Sequence, residues 1–329
     1  MTINLIVKNI LKSEKPSDIH IRSGYCPHIR LNGIITQAGS NVVKKDIIDK
    51  FLKENLDKSM LDDLHTIGSV DFAAEIDKER LRINAFNSLA GPSLVMRIIP
   101  SELPKSILLP NAIMELSSLT KGLVLVTGPT GSGKSTTQAI LLDIINEAYN
   151  HNIITIEDPI EFVHKDKKSI ISQRQVGNHT DNFSSALKAA LREDPDVILM
   201  GELRDMETIS LALTAAETGH LVMGTLHTNT APSSVSRIID VFPAVQQDQV
   251  RAQLADSLAA VVTQKLLTSA DGNSRHAAFE IMLNNLAIAN LIRDSKIHQI
   301  YNIMQTSSAQ GMVLMEASIN KLKSEGKIR

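Results

Sequence analysis

The residues best equipped for chemistry are Gly128, Thr130, Gly131, Ser132, Gly133, Lys134, Ser135 and Thr136, which follow an apolar run at 123–127 and open a helical stretch. Gly128-x-x-x-x-Gly133-Lys134-Ser135 is the phosphate-loop spacing, in which successive backbone N–H groups wrap a phosphate and the lysine adds a cation. The glycines can take positive φ and let the backbone close on phosphate oxygens, and a helix starting near Lys134 points its positive dipole end at the same anion. Lys134 is expected to neutralise β and γ oxygens, and the Ser135 hydroxyl to hold Mg²⁺. The substrate class is a nucleoside triphosphate.

Two apolar runs end in acids. The first, at 153–156, leads into Glu157, Asp158, Pro159, Ile160 and Glu161. In a parallel sheet the carboxyl ends of strands face the ligand crevice, so one of these acids is expected to handle water; a solvated acidic loop is the plainer alternative. The second, at 197–200, runs into Gly201 and Glu202, the pattern of a Walker B strand. An acid there can order a magnesium-bound or attacking water, which makes Glu202 the stronger candidate. His227 ends a third core run at 221–226, and that position favours a γ-phosphate contact over a structural hydrogen bond. His220 begins the same run, and with no cysteine nearby a metal site is not expected. Arg82, Arg97, Arg204 and Arg237 are the arginines that could meet charge on a transferring phosphoryl group, and the sequence does not rank them.

These groups need strands and helices to hold them. From 112 onward, strand-like runs at 123–127, 153–156, 169–173, 197–200 and 221–225 alternate with helical stretches, as in a mostly parallel α/β sheet. Asp205 is an N-cap candidate and Gly219 a helix stop. The run 246–267 reads as a long amphipathic helix grading into a strand that pairs with 277–282, and the rest as three helices. The first hundred residues form a separate α/β unit. It has a helix at 4–11, a hairpin of 18–22 and 28–31 with a turn at Asn32-Gly33, helices within 44–64, and strands at 70–76, 80–86 and 93–99. Pro100, Pro104 and Pro110 break both patterns between the units. The expected organisation is therefore 1–100, a linker at 101–111, and 112–329.

Composition narrows the function classes. With 43% hydrophobic residues among 329, burying two cores is no difficulty. A net charge of −2 argues against a nucleic-acid footprint. Cys26 is the only cysteine, which excludes an internal disulfide and a cysteine-rich zinc site and fits a reducing, cytoplasmic setting. No run approaches the roughly 18 apolar residues of a membrane span, and the first residues lack a signal-peptide pattern. Membrane association is expected only through partners.

Taken together, 128–136, 153–161, 190–205 and 218–230, with Ser17-Asp18-Ile19-His20-Ile21 and Arg82-Ile83-Asn84-Ala85-Phe86 in the first unit, resemble the type II/IV secretion ATPase superfamily. Within it they resemble the pilus retraction ATPases of PilT type, nearly end to end. The resemblance implies a PAS-like α/β N-terminal domain, a RecA-like ATPase domain with C-terminal helices, ATP and Mg²⁺ as ligands, and a homohexamer. It also implies work beside the pilus machinery and its platform protein at the inner face of the bacterial inner membrane. It assigns Lys134 and Ser135 to Walker A, Glu161 to the aspartate box, Glu202 to Walker B, and His220 and His227 to the histidine box. A four-cysteine zinc site, usual in the pilus assembly ATPases, is missing here, which favours retraction over assembly. A PilU-like accessory ATPase, a related secretion motor or a P-loop kinase are the alternatives. One departure stands out: Ala289 occupies the place of an arginine in the family's Ala-Ile-Arg-Asn-Leu-Ile-Arg-Glu segment. Helical spacing predicts a buried stripe of Ile288, Leu291 and Ile292, with Ala289 and Arg293 on a more exposed face.

Overall fold

Alternating apolar and polar residues build the first unit around an antiparallel sheet. The computed structural model describes residues 2–31, 33–99, 109–272 and 274–329, and the chain divides into two compact units, Met1–Glu102 and Leu103–Arg329. In the first, the elements are α1 (Ile3–Ser13), β1 (Asp18–Arg22), β2 (His28–Leu31), β3 (Ile34–Gln37), α2 (Lys45–Asn55), α3 (Lys58–Thr66), β4 (Ser69–Ile76), β5 (Glu79–Ser88) and β6 (Gly91–Ile99). The strands line up as β3-β2-β1-β6-β5-β4. Ile19, Ile21, Leu81, Ile83, Leu94 and Met96 are fully buried, sharing one core with Ile3, Val7, Ile48 and Phe51 of α1 and α2. Strand β3 was not foreseen: all four of its residues are exposed, so no burial pattern marks it. The turn before Ile34 joins β2 to β3, not β1 to β2; Asn32 itself lies outside the described residues. So does most of the expected linker, 101–108.

The second unit continues with α4 (Asn111–Met114), β7 (Gly122–Thr127), α5 (Lys134–Ala148), β8 (Asn152–Glu157), β9 (Ile170–Gln175), α6 (Phe183–Ala190), β10 (Val197–Met200) and α7 (Met206–Glu217). It ends with β11 (Leu221–Leu226), α8 (Ala231–Asp240), α9 (Ala244–Ser257), β12 (Leu258–Thr268), β13 (Arg275–Leu283), α10 (Leu286–Arg293), α11 (Ile300–Thr306) and α12 (Met315–Ser324). The sheet order is β13-β12-β7-β11-β10-β8-β9. All neighbours pair in parallel except β12 with β13. The central strands are buried on both faces: Leu123 and Leu125 point into one core, Val124 into the other. This explains why they read as unbroken apolar runs. Helix α9 passes into β12 with no connecting residue, and the Asn284 amide bridges the junction by donating to the carbonyls of Ala255 (2.9 Å) and Leu258 (2.8 Å).

The C-terminal helices correct one expectation. Ala289 is buried, 7% exposed, within the same core cluster as Ile288, Ile292 and Leu254, whereas Leu286 is 76% exposed. Helix α10 turns its small residue toward α9, so an arginine at 289 would meet a packed seam and not open solvent. Arg293 does lie at the surface, where it pairs with Asp256.

Candidate active site

The phosphate loop leaves β7 at Thr127 and is closed by its glycines. Gly128, Gly131 and Gly133 have φ of 140°, 77° and 90°, a region that favours glycine. At two of these the space is also filled. A Cβ on Gly128 would sit 2.4 Å from the Gln264 carbonyl oxygen, and one on Gly133 would sit 2.7 Å from the Gln264 side-chain nitrogen. Gln264, on β12 and 3% exposed, thus floors both ends of the loop, and its Oε1 accepts a 2.6 Å hydrogen bond from Thr137. Sequence spacing gave no hint of it, because the contact comes from a strand more than a hundred residues away.

Helix α5 starts at Lys134, directly after Gly133, so the N–H groups of its first turn have no partner within the helix. Ser132 Oγ is buried without a hydrogen-bond partner among the described residues, and Thr130 is exposed on the loop. Lys134 Nζ donates to the carbonyls of Gly128 (2.8 Å) and Pro129 (3.2 Å). Burial pushes its ammonium below the ordinary lysine value, against the pull of Glu202 and Glu161. An incoming phosphate would relieve that cost, and with the orphaned Ser132 hydroxyl and the glycine cradle the loop fits an anionic phosphate chain. Ser135 and Thr136 follow in the first turn of α5, and Ser135 lines a cleft with Glu157, Glu161, Glu202 and Arg204. One turn further, the buried Gln138 brings an unpartnered Nε2 to the same cleft.

Glu202 stands at the carboxyl end of β10. Its loop is wedged: Gly201 N–H donates to Ile156 O at 2.7 Å, Leu203 N–H to Thr225 O at 3.0 Å. The Leu203 side chain fills the room left by Gly224, where a Cβ would lie 2.7 Å from Leu203 Cδ1. The carboxylate accepts from Arg204 at 2.7 Å and lies 3.4 Å from His227 Nε2. Burial acts to raise this carboxyl, but the Arg204 hydrogen bond and charge, with His227 and Lys134 behind them, hold it below the ordinary carboxylate value. Thr230 caps α8, just after the His227 loop, and Ala231 N–H donates to Glu280 at 2.7 Å. Burial raises the Glu280 carboxyl against the Ala231 and Met315 backbone donors.

The acid loop after β8 is held differently. Thr155 Oγ1 donates to Glu157 at 2.6 Å, the Gln173 amide at 3.1 Å, and the Glu161 N–H also donates to that carboxyl. Burial nevertheless raises the Glu157 carboxyl above its ordinary value. Glu161 itself is exposed at the cleft.

Not every candidate arrives here. His220 lies ahead of β11, at the opposite end of that strand from His227. Six residues at about 3.3 Å each put it roughly 20 Å from the phosphate-loop edge of its own chain; its Nδ1 is 3.0 Å from Ala215 O. The resemblance places both histidines in one box, but β11 is buried along its whole length and holds them at opposite ends. Arg237 is exposed in the last turn of α8, not in the cleft. In the first unit Arg82 and Arg97 sit directly opposite each other on β5 and β6. Arg97 Nε donates to Asp18 at 3.0 Å and Arg82 lies 4.0 Å from Asp71. Among the described residues there is no cluster of three or more metal-ligating His, Cys, Asp or Glu side chains.

The family described as "Type II/IV secretion system protein" matches residues 1–325. The chain belongs to that family. It is 53% identical over 262 residues to the twitching motility protein of Neisseria gonorrhoeae, covering 79% of this chain and 70% of that one. It is 44% identical over 315 residues to the type IV pilus retraction ATPase PilT of Pseudomonas aeruginosa, covering 95% and 91%. A crystal structure of the pilus retraction motor PilT with bound ADP superposes with a TM-score of 0.92 at 43% identity, covering 100% of this chain and 95% of that one. The chain is thus a nucleotide-binding ATPase of the PilT type, with an N-terminal domain and a RecA-like ATPase domain. No described helix is long and apolar enough to cross a membrane.

Proposed function

We propose that the chain works as a homohexameric motor that hydrolyses ATP to drive type IV pilus retraction, with Glu202 positioning the attacking water. The observation that carries the assignment is the Glu202 carboxylate, held ionised at the sheet's carboxyl edge by Arg204 at 2.7 Å and faced by His227 at 3.4 Å. The loop N–H groups and Lys134 bind the phosphates. The Ser135 hydroxyl and the Glu202 carboxylate are hard oxygen donors of the kind Mg²⁺ takes. When bound, that ion supplies charge neutralisation on the phosphate oxygens. Water bonds to the γ-phosphorus as the bridging P–O bond to the β-phosphate breaks, and the proton passes to a carboxylate. Because Arg204 occupies Glu202, engaging water requires the pair to loosen, which frees the guanidinium to meet charge on the phosphoryl group.

Ring assembly is the second half of the proposal. Heterologous contacts that close give a ring, and a ring lets the Arg82 and Arg97 pair of one subunit serve a neighbour's nucleotide. The partners in this reading are the pilus machinery and its platform protein at the inner membrane, with no membrane insertion of the chain's own. Glu202→Gln should still bind ATP while turnover falls on the order of 10² or more. Near-normal hydrolysis would move the water-handling role to Glu161. Native mass measurement with ATP should give six copies, and a monomer at working concentration would remove the motor's basis.

A further inference from the structure

We infer that Gln173, on the edge strand β9, is a positioning residue that sets the reach of Glu161 into the cleft. Parallel pairing puts Gln173 beside Thr155 and Gln175 beside Glu157. From there the Gln173 amide spans the acid loop. Its Nε2 donates to the Glu157 carboxylate (3.1 Å) and to the Phe162 carbonyl (2.8 Å), and its Oε1 accepts from the His164 N–H (2.8 Å). Two acceptors and one donor fix which way the amide faces, and no other uncharged side chain of this length supplies two donors and an acceptor from one group. Gln175 adds a fourth tie, accepting from the Ile160 N–H at 3.3 Å.

The residues on either side of Glu161 are therefore each tied to β9, Ile160 by its N–H and Phe162 by its carbonyl. Glu161's own N–H is taken by Glu157, so the backbone beneath this exposed acid is fixed while its side chain remains at the cleft. A misplacement of about 1 Å at such a group can cost on the order of a hundredfold in rate. Nucleotide contacts run through the 128–136 loop instead, which leaves binding outside Gln173's influence.

The inference rests on Glu161 contributing to hydrolysis beside Glu202, from the cleft that both line, and the test keeps the two apart. Gln173→Leu, Glu161→Gln and the double variant are compared for ATPase kcat and KM and for binding of a fluorescent ADP analogue. Gln173→Leu should lower kcat at least tenfold while ADP affinity stays within twofold, and adding it to Glu161→Gln should cause no further loss. Gln173→Glu provides a rescue. Protonated, it regains a donor and an acceptor, so its kcat relative to the parent at the same pH should climb as pH falls. Equal losses of kcat and ADP affinity, a kcat within twofold of the parent, or fully additive losses in the double variant would overturn the role of Gln173. A normal kcat in Glu161→Gln alone would instead overturn the role of Glu161 on which it stands.

Discussion

The two acid loops of the cleft are held by opposite means. The Glu202 loop is wedged by packing and backbone: Leu203 fills the hollow over Gly224, and the carboxylate is engaged by Arg204 and His227. The Glu161 loop is tied by side-chain amides from an edge strand, and its acid stands exposed. A wedge resists displacement through steric contact, whereas ties depend on hydrogen bonds worth about 0.5–1.5 kcal/mol each. The difference teaches that one cleft can present one acid ionised in a packed wedge beside a second whose exposed side chain stands on a backbone held only by hydrogen bonds.

The wedge should break hardest. Gly224→Ala puts a methyl into Leu203, an overpacking of about 1–3 kcal/mol, and should lower kcat tenfold or more by shifting Glu202. Leu203→Ala in the same chain should restore part of the stability, read as non-additivity in chemical denaturation; strictly additive costs would sink the wedge. A smaller effect is expected from Arg204→Ala. Without that hydrogen bond and charge only His227 and Lys134 still oppose burial at the Glu202 carboxyl, so the acid limb of kcat against pH should move to higher pH. An unmoved limb would mean that another group titrates there.

The smallest effect concerns Glu157. Its carboxyl is raised in the folded chain, so the folded state holds the proton more tightly than the unfolded chain does. The stability this contributes is complete below the unfolded value, about 4.3, and is lost as pH rises through the folded one. Glu157→Gln lacks this loss. Between pH 4 and 7 the parent's unfolding free energy should therefore decline relative to the variant, and parallel curves would dismiss the idea that burial dominates at this carboxyl.

Local spacing was enough to find the phosphate loop, the acid-terminated strands and the helix–strand alternation, because each is written within a few consecutive residues. What escaped is what strand order creates. Gln264 reaches the loop from β12, Gln173 and Gln175 reach the acid loop from β9, and Gly224 matters only because Leu203 lies above it. Neighbours in the sheet are not neighbours in the chain, and no periodicity encodes them. Ala289 failed for a related reason: helical spacing separates faces, but which faces are covered depends on where α9 lies. The four-residue β3 is invisible to any burial pattern since it buries nothing.

The junction of α9 and β12 gains meaning from Gln264. A loop of several residues absorbs rotation as slack, but here helix becomes strand at once, and Asn284 grips both sides of the change. Seven residues along that strand lies the glutamine on which the phosphate loop rests. In mechanical language the segment is a crank: apart from the one-residue shift in pairing with β7 between Leu258 and Ala260, no loop separates the surface of α9 from the seat of the nucleotide.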